Sequence, residues 1–279
     1  MSKKKKMTTI IVFLLIAAVL IVGIVFTDTG GEKPESIKET MRDAVLHENG
    51  KINFLGIKDV NPALISAVAV NITLLLTAAC IRIFAIPRFQ LIPGKFQLLL
   101  EETVGIFDRM AKSNSPHRSG FLGAYIFAAG TYIFVSTLFE LFGFQAVTTQ
   151  GNSISLPAPL SDINAAIAMG CLSYLIILSG GIAGNGFGGV LNTLKDFSLP
   201  ISMSFRLFGA LLSGLLVTEM VYYFIQLSFV LPVVVGIMFT LLHALIQTYV
   251  LTMLTAVFYG EVSAPKPNKK HRNKTKAAA

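Results

Sequence analysis

The sequence predicts an all-α polytopic membrane protein with about six transmembrane helices, the last two long and tilted as a hairpin. Three observations carry this reading. Of 279 residues 53% are hydrophobic and only 14% charged, where a soluble domain carries about a quarter. The mean hydropathy is +0.69. Apolar stretches of about 20 residues, the length that crosses a hydrocarbon core about 30 Å thick, recur at 7–26, 62–83, 121–142, 164–184, 200–229 and 232–260. Nucleic-acid binding and soluble catalysis fall away with this composition. The net charge of +8 sits at the chain ends and in loops, where it orients a membrane protein rather than meeting a polyanion.

The first stretch follows Lys3 to Lys6 and has a secretory signal as its alternative. Its apolar run is long for a signal and ends in Val25-Phe26-Thr27-Asp28, without a small-x-small cleavage site, so a retained helix is expected. Residues 1–61 then hold this helix and an outer polar segment, 62–262 the membrane domain, and 263–279 a basic tail. Loop by loop, placing both termini in the cytoplasm puts 17 basic residues inside against 5 outside, the bias that orients such proteins.

Between the second and third spans, residues 93–112 repeat at helical spacing. Phe96, Leu100, Phe107 and Met110 fall on one side, with Glu101, Glu102, Asp108 and Arg109 largely on others. That predicts a helix at the cytoplasmic interface, with a solvated linker helix as the alternative. Gly184-Asn185-Gly186-Phe187-Gly188-Gly189 spells GxGxxG, but a dinucleotide site needs a strand before it; a mobile loop is expected instead. Cys80 and Cys171 lie in apolar runs without metal-ligand spacing and read as core thiols. No nucleophile–base pair stands out, and no cofactor or metal is expected.

The last two spans would extend about 43–45 Å as straight helices, beyond the thickness of the hydrocarbon. A steep tilt against a broad neighbour accommodates them, and Pro232 suits the tight connection. Arg206 lies inside the fifth span, where a guanidinium costs from about 2.5 to over 10 kcal/mol and cannot shed its proton. It faces either a water-filled cavity or a partner's carboxylate; snorkelling to the cytoplasmic surface is the alternative. Glu219, thirteen residues on, is a group that can take up and release a proton. His243 and Gln247 are four apart and share a face of the sixth span. Glu219 and His243 both fall on the outer side of the Arg206–Gln247 level. Glu140 and Asp162 extend that outer path or, for Asp162, cap the next helix. His47, His117 and His271 suggest no site.

Ser202-x-Ser204-x-Arg206-Leu207-Phe208-Gly209, followed by Gln247-x-Tyr249-Val250-x-x-Met253-Leu254-Thr255, resembles subunit a of the rotary F-type ATP synthases, as does Pro159-Leu160-Ser161-Asp162-Ile163-Asn164. The resemblance spans roughly 62–262. It implies a non-catalytic stator subunit against a rotating c-subunit ring, joined to the peripheral stalk b subunits in a lipid bilayer, with two offset half-channels for H⁺ or Na⁺. Arg206 matches the family's essential arginine and Gln247 the polar residue facing it. Outer half-channel candidates are then Glu219, His243, Asp162 and Glu140; inner candidates are Asn192 and Asp196.

The sequence departs from the family's pattern in places. Ala210 stands where Asn is usual, Leu215 where the outer Glu is usual, and Thr240 at the usual polar position of the sixth span; Glu219, one helical turn beyond Leu215, is the expected substitute. The basic N-terminus and single-chain layout point to a bacterial plasma membrane. A stand-alone secondary transporter or channel is the rival function, although inverted repeats are not evident; an intramembrane enzyme is a third.

Overall fold

Asn61-Pro62 opens a helix by two familiar devices. The Asn61 side chain accepts the Ala63 N–H at 2.9 Å, and Pro62 occupies the first turn, where its missing N–H costs nothing. A computed structural model describes residues 51–54, 57–147, 153–223 and 231–264. The expected first span, His47, the 224–230 connection and the basic tail from Lys266 lie outside them. Helix α1, Pro62–Cys80, continues as a π-helical turn Ile81–Ala85 and a 3-10 turn Ile86–Arg88, so this span outruns its expected end at 83. Pro87 stops it by removing a ladder donor.

Helices α2 (Lys95–Asn114), α3 (Ser119–Leu138, extended by a 3-10 turn Phe139–Phe142), α4 (Ile163–Lys195), α5 (Ser198–Tyr223) and α6 (Leu231–Ser263) follow. Five described segments are long and apolar enough to cross a membrane: 62–88, 119–142, 163–191, 198–217 and 236–263. The chain is thus an all-α multi-pass membrane protein. Two short antiparallel ribbons depart from the all-α expectation: β1 (Ile52–Phe54) with β2 (Ile57–Val60), and β3 (Gln145–Val147) with β4 (Ser153–Ser155). Both lie in connections outside the apolar spans, where backbone groups left by the helices pair locally.

Gly184 to Gly189, expected as a mobile loop, is helical apart from one break. Gly186 takes φ 58° and ψ −141°, a conformation that strains any residue with a Cβ. The chain reverses there, and 187–195 packs back along the first half of α4. Gly181 and Gly189 meet backbone to backbone with no room for a side chain, and Tyr174 Oη donates to the Thr193 carbonyl at 3.0 Å.

Lipid is as apolar as leucine, so helices in a bilayer associate through close packing and interhelical hydrogen bonds rather than hydrophobic burial. The core follows that rule. Leu122, Ile126 and Ile133 of α3, Ile177 of α4, Leu207 of α5 and Ala256 of α6 are fully buried. Gly130 receives the Phe107 ring of α2, Gly180 receives the Tyr259 ring of α6, and Gly260 sits on the Asn114 carbonyl. Tyr125 Oη and Ser173 Oγ bond across α3 and α4 at 2.8 Å. Cys80 and Cys171 are exposed rather than in this core; an apolar run reads alike whether it faces lipid or protein.

The expected apolar side of α2 divides. Phe107 meets Phe127 edge-on at 5.7 Å and 78°, and Met110 also packs on the core. Phe96, Leu98 and Leu99 face outward. The acids of this helix are tied down: Glu102 by Arg109 and Asp108 by Lys112, both at 2.6 Å.

Candidate functional site

Residues 203, 207 and 211 of α5 recur at helical spacing, and their side chains Met203, Leu207 and Leu211 are buried against the bundle. The opposite side carries Ser202, Arg206, Gly209 and Ser213, all exposed. Among the described residues, no side chain bonds or pairs with the Arg206 guanidinium. Helix α6 returns antiparallel to α5, with Gln247 beside Arg206 and His243 beside Gly214. Gln247 is only 4% exposed, and its Nε2 donates to the Arg206 carbonyl at 3.3 Å. The amide thus grips the backbone at Arg206 and leaves the guanidinium free to point outward.

The next residue fixes the depth of this pair. Thr248 Oγ1 reaches the Gly130 carbonyl at 3.5 Å, and Gly130 lies midway along the span Ser119–Phe142. At 1.5 Å per residue that is about 17 Å from either end.

His243 lies on the other side of this level from the α6 C-terminus. Its Nδ1 lies 2.9 Å from the Phe239 carbonyl and its ring stacks on Phe239. A Cβ on Gly214 would stand 3.9 Å from Nδ1, so the two helices approach closely here. Glu219 continues α5 about 7.5 Å beyond Gly214; its side chain lies outside the described residues. Glu140 sits half-buried in the 3-10 turn after α3, which packs against α6.

Asp162 lies elsewhere. It caps α4, accepting the Asn164 N–H at 2.7 Å and the Ala165 N–H at 3.4 Å through Oδ1, while Oδ2 accepts Asn61 Nδ2. Two helix caps, 101 residues apart in sequence, are thereby clasped together. Sequence reasoning missed Asn61, although Asn-Pro before an apolar run is a legible capping signal. Asp196 is exposed in the turn between α4 and α5, its N–H donating to Thr193 and its carbonyl accepting from Leu199, both at 3.0 Å. The backbone of Asn192 belongs to the returning half of α4, and its side chain lies outside the described residues.

The site therefore holds one permanent charge at mid-depth on an open helix face, a buried amide behind it, and a histidine further along. Among the described residues no group of His, Cys, Asp and Glu could hold a metal ion. A sequence model of the family described as ATP synthase A chain matches residues 64–260. The chain belongs to that family. Among its relatives, ATP synthase subunit a of Histophilus somni (strain 129Pt) is 28% identical over 196 residues, covering 60% of this chain and 73% of the relative. That of Cereibacter sphaeroides is 25% identical over 195 residues, covering 66% and 75%. The chloroplastic subunit a of Stigeoclonium helveticum is 33% identical over 118 residues, covering 38% and 47%. The stretch matched to subunit a contains the five described spans from α1 to α6 almost entire, and with them Arg206, Gln247 and His243.

Proposed function

We propose that this chain is the ion-conducting stator subunit of an F-type ATP synthase, and that Arg206 separates two half-channels that meet a rotating c ring from opposite sides. The observation that carries this is the Arg206 guanidinium, without a partner among the described residues, at mid-depth on an exposed face. A charge in that position is tolerable only beside water or a mobile anion. Ser202, Gly209 and Ser213 flank it with small side chains, which lets another helix approach closely.

A ring carboxylate passing Arg206 is drawn into its ionised form, because an adjacent cation favours the charged state. Its H⁺ or Na⁺ leaves into one channel before another arrives from the other. The same cation repels an ion crossing directly between channels. Each elementary charge moved through 100 mV supplies about 2.3 kcal/mol, so several must pass per turn to support ATP formation in the rest of the complex.

His243, Glu219 and Glu140 are assigned to the outer half-channel, as they lie along one half of the α5–α6 hairpin. Asp162, with both oxygens engaged, positions the helix ends beside that path. Asn192 and Asp196 remain the inner candidates. The grouping of Arg82, Arg88, Lys95, Arg109, Lys112 and Arg118 between residues 82 and 118, against Lys33, Lys38, Arg42, Lys51 and Lys58 before α1, supports cytoplasmic termini, and a bacterial plasma membrane fits the basic N-terminus and single-chain layout. The peripheral stalk b subunits complete the stator.

The test is Arg206→Ala in membrane vesicles. Ion-driven ATP synthesis is expected to fall to background while the subunit still co-purifies with ring and stalk. Retained coupled synthesis would overturn the role, and purification of the chain without any ring would favour a stand-alone transporter. Running the assay with and without sodium identifies the ion.

A further inference from the structure

The turn between α1 and α2 holds a cleft of about 490 Å³ that the ion path does not use, lined by Phe84, Phe89 and Phe96 and by the cations Arg88 and Lys95, with no acid in its walls. Both cations are exposed, and among the described residues neither has an ion-pair partner. Glu101, the next acid along α2, already accepts Gln97 Nε2 at 2.7 Å.

The cleft is built rather than incidental. The Gln97 side chain pairs with the Gln90 backbone in both directions, accepting its N–H at 3.0 Å and donating to its carbonyl at 2.9 Å. That pair of hydrogen bonds holds the turn against the start of α2. At the tip, Leu91 is 103% and Ile92 86% exposed. The cleft lies where the span 62–88 ends, at the edge of the hydrocarbon. Two cations without an ion-pair partner among the described residues, an aromatic floor and two bare aliphatic side chains at that depth match one kind of molecule: an anion carrying hydrocarbon chains.

We propose that this cleft binds an anionic phospholipid, its phosphate between Arg88 and Lys95 and an acyl chain along Leu91 and Ile92. A zwitterionic lipid gains less, because its own cation meets the same two positive groups. A free phosphate uses the cations and leaves the aliphatic tip bare.

The test uses the full chain in detergent micelles with phosphatidylglycerol and phosphatidylcholine supplied in equal amounts, bound lipid being counted by native mass spectrometry. Each basic group near an anionic surface is worth about fivefold in affinity. The double variant Arg88→Ala/Lys95→Ala should therefore lower the preference for phosphatidylglycerol by about 25-fold, while Arg88→Lys/Lys95→Arg retains it. Lys112→Ala, which removes a cation already paired with Asp108, should leave it unchanged. An unaltered preference in the double alanine variant overturns the proposal. So does an equal loss in Lys112→Ala, which would mean diffuse charge attraction, or displacement of the lipid by millimolar inorganic phosphate, which would mean an anion site without a hydrocarbon requirement. Occlusion of the cleft by a stalk helix in the intact complex, seen as loss of the bound lipid on assembly, overturns it as well.

Discussion

Glycine behaves in opposite ways at the α6 contacts inside the bundle and on the open face of α5. Where α6 meets α2 and α4, glycines are contact points: Gly260 lies on the Asn114 carbonyl, Gly180 under the Tyr259 ring, Gly184 against the Ser263 backbone. On the open side of α5, Gly209 has nothing within 4 Å, and Arg206 beside it lacks a partner among the described residues. Buried side-chain polar atoms among the described residues all have hydrogen-bond partners. The bundle side is finished by the chain itself. The α5 face has the same small residues and a charge without a partner among the described residues, so what completes it lies beyond them, and the charge calls for a neighbour that brings an anion or water.

The largest expected divergence between the two sides comes from adding carbon to each. Gly260→Ala sets a methyl group into backbone that cannot swing away, and such overpacking costs about 1–3 kcal/mol. Gly209→Leu adds far more volume and should leave stability within about 0.5 kcal/mol, as surface changes do. Its effect should appear in function: coupled ATP synthesis dropping at least as far as Gly260→Ala reduces it, in a subunit that unfolds normally in a detergent titration. If Gly209→Leu leaves synthesis intact, no helix packs on that face.

This contrast also explains what the sequence disclosed. The five described spans were legible because length and hydropathy alone fix them, and Arg206 was legible because an arginine in such a run is costly. The return of α4 was not. Its turn depends on Gly181 meeting Gly189, a tertiary contact that leaves no trace in hydropathy, so the segment looked like a loop. Gln247 was singled out, yet its bond to a backbone carbonyl rather than to the guanidinium has no sequence signal. Cys80 and Cys171 were misplaced because lipid-facing and protein-facing positions are equally apolar. Asn61 and Asp162 each carry a local capping signature; that the two caps touch follows only from the packing of α1 against α3 and the turn Pro159–Ser161.

The clasp gives a smaller effect that sharpens the division between positioning and conduction. Asp162→Ala removes the cap and the Asn61 bond together, and loss of a cap typically costs about 1 kcal/mol. Asp162→Asn keeps a capping oxygen but turns an NH₂ toward Asn61 Nδ2, so it should lose less. Neither should change the ion dependence of the remaining synthesis. A variant Asp162→Asn of native stability but without ion flux would instead make Asp162 a carrier of the ion.

The smallest expected effect belongs to Glu219→Gln. The backbone of residue 219 continues the helix that passes His243 at Gly214, in the half of the hairpin assigned to the outer channel. In the proposed mechanism with H⁺ as the ion, a carboxylate there would supply protons to a ring site that Arg206 empties, with water and His243 sharing the path, so its loss would slow delivery without closing it. ATP synthesis in Glu219→Gln vesicles should fall several-fold at high external pH, where protons are scarce, and approach the unmodified rate as the external pH is lowered. Glu219→Asp should lie between them. Equal rates at every pH would put Glu219 with the packing residues, and would leave His243 and Glu140 as the groups to alter next on the same side of Arg206.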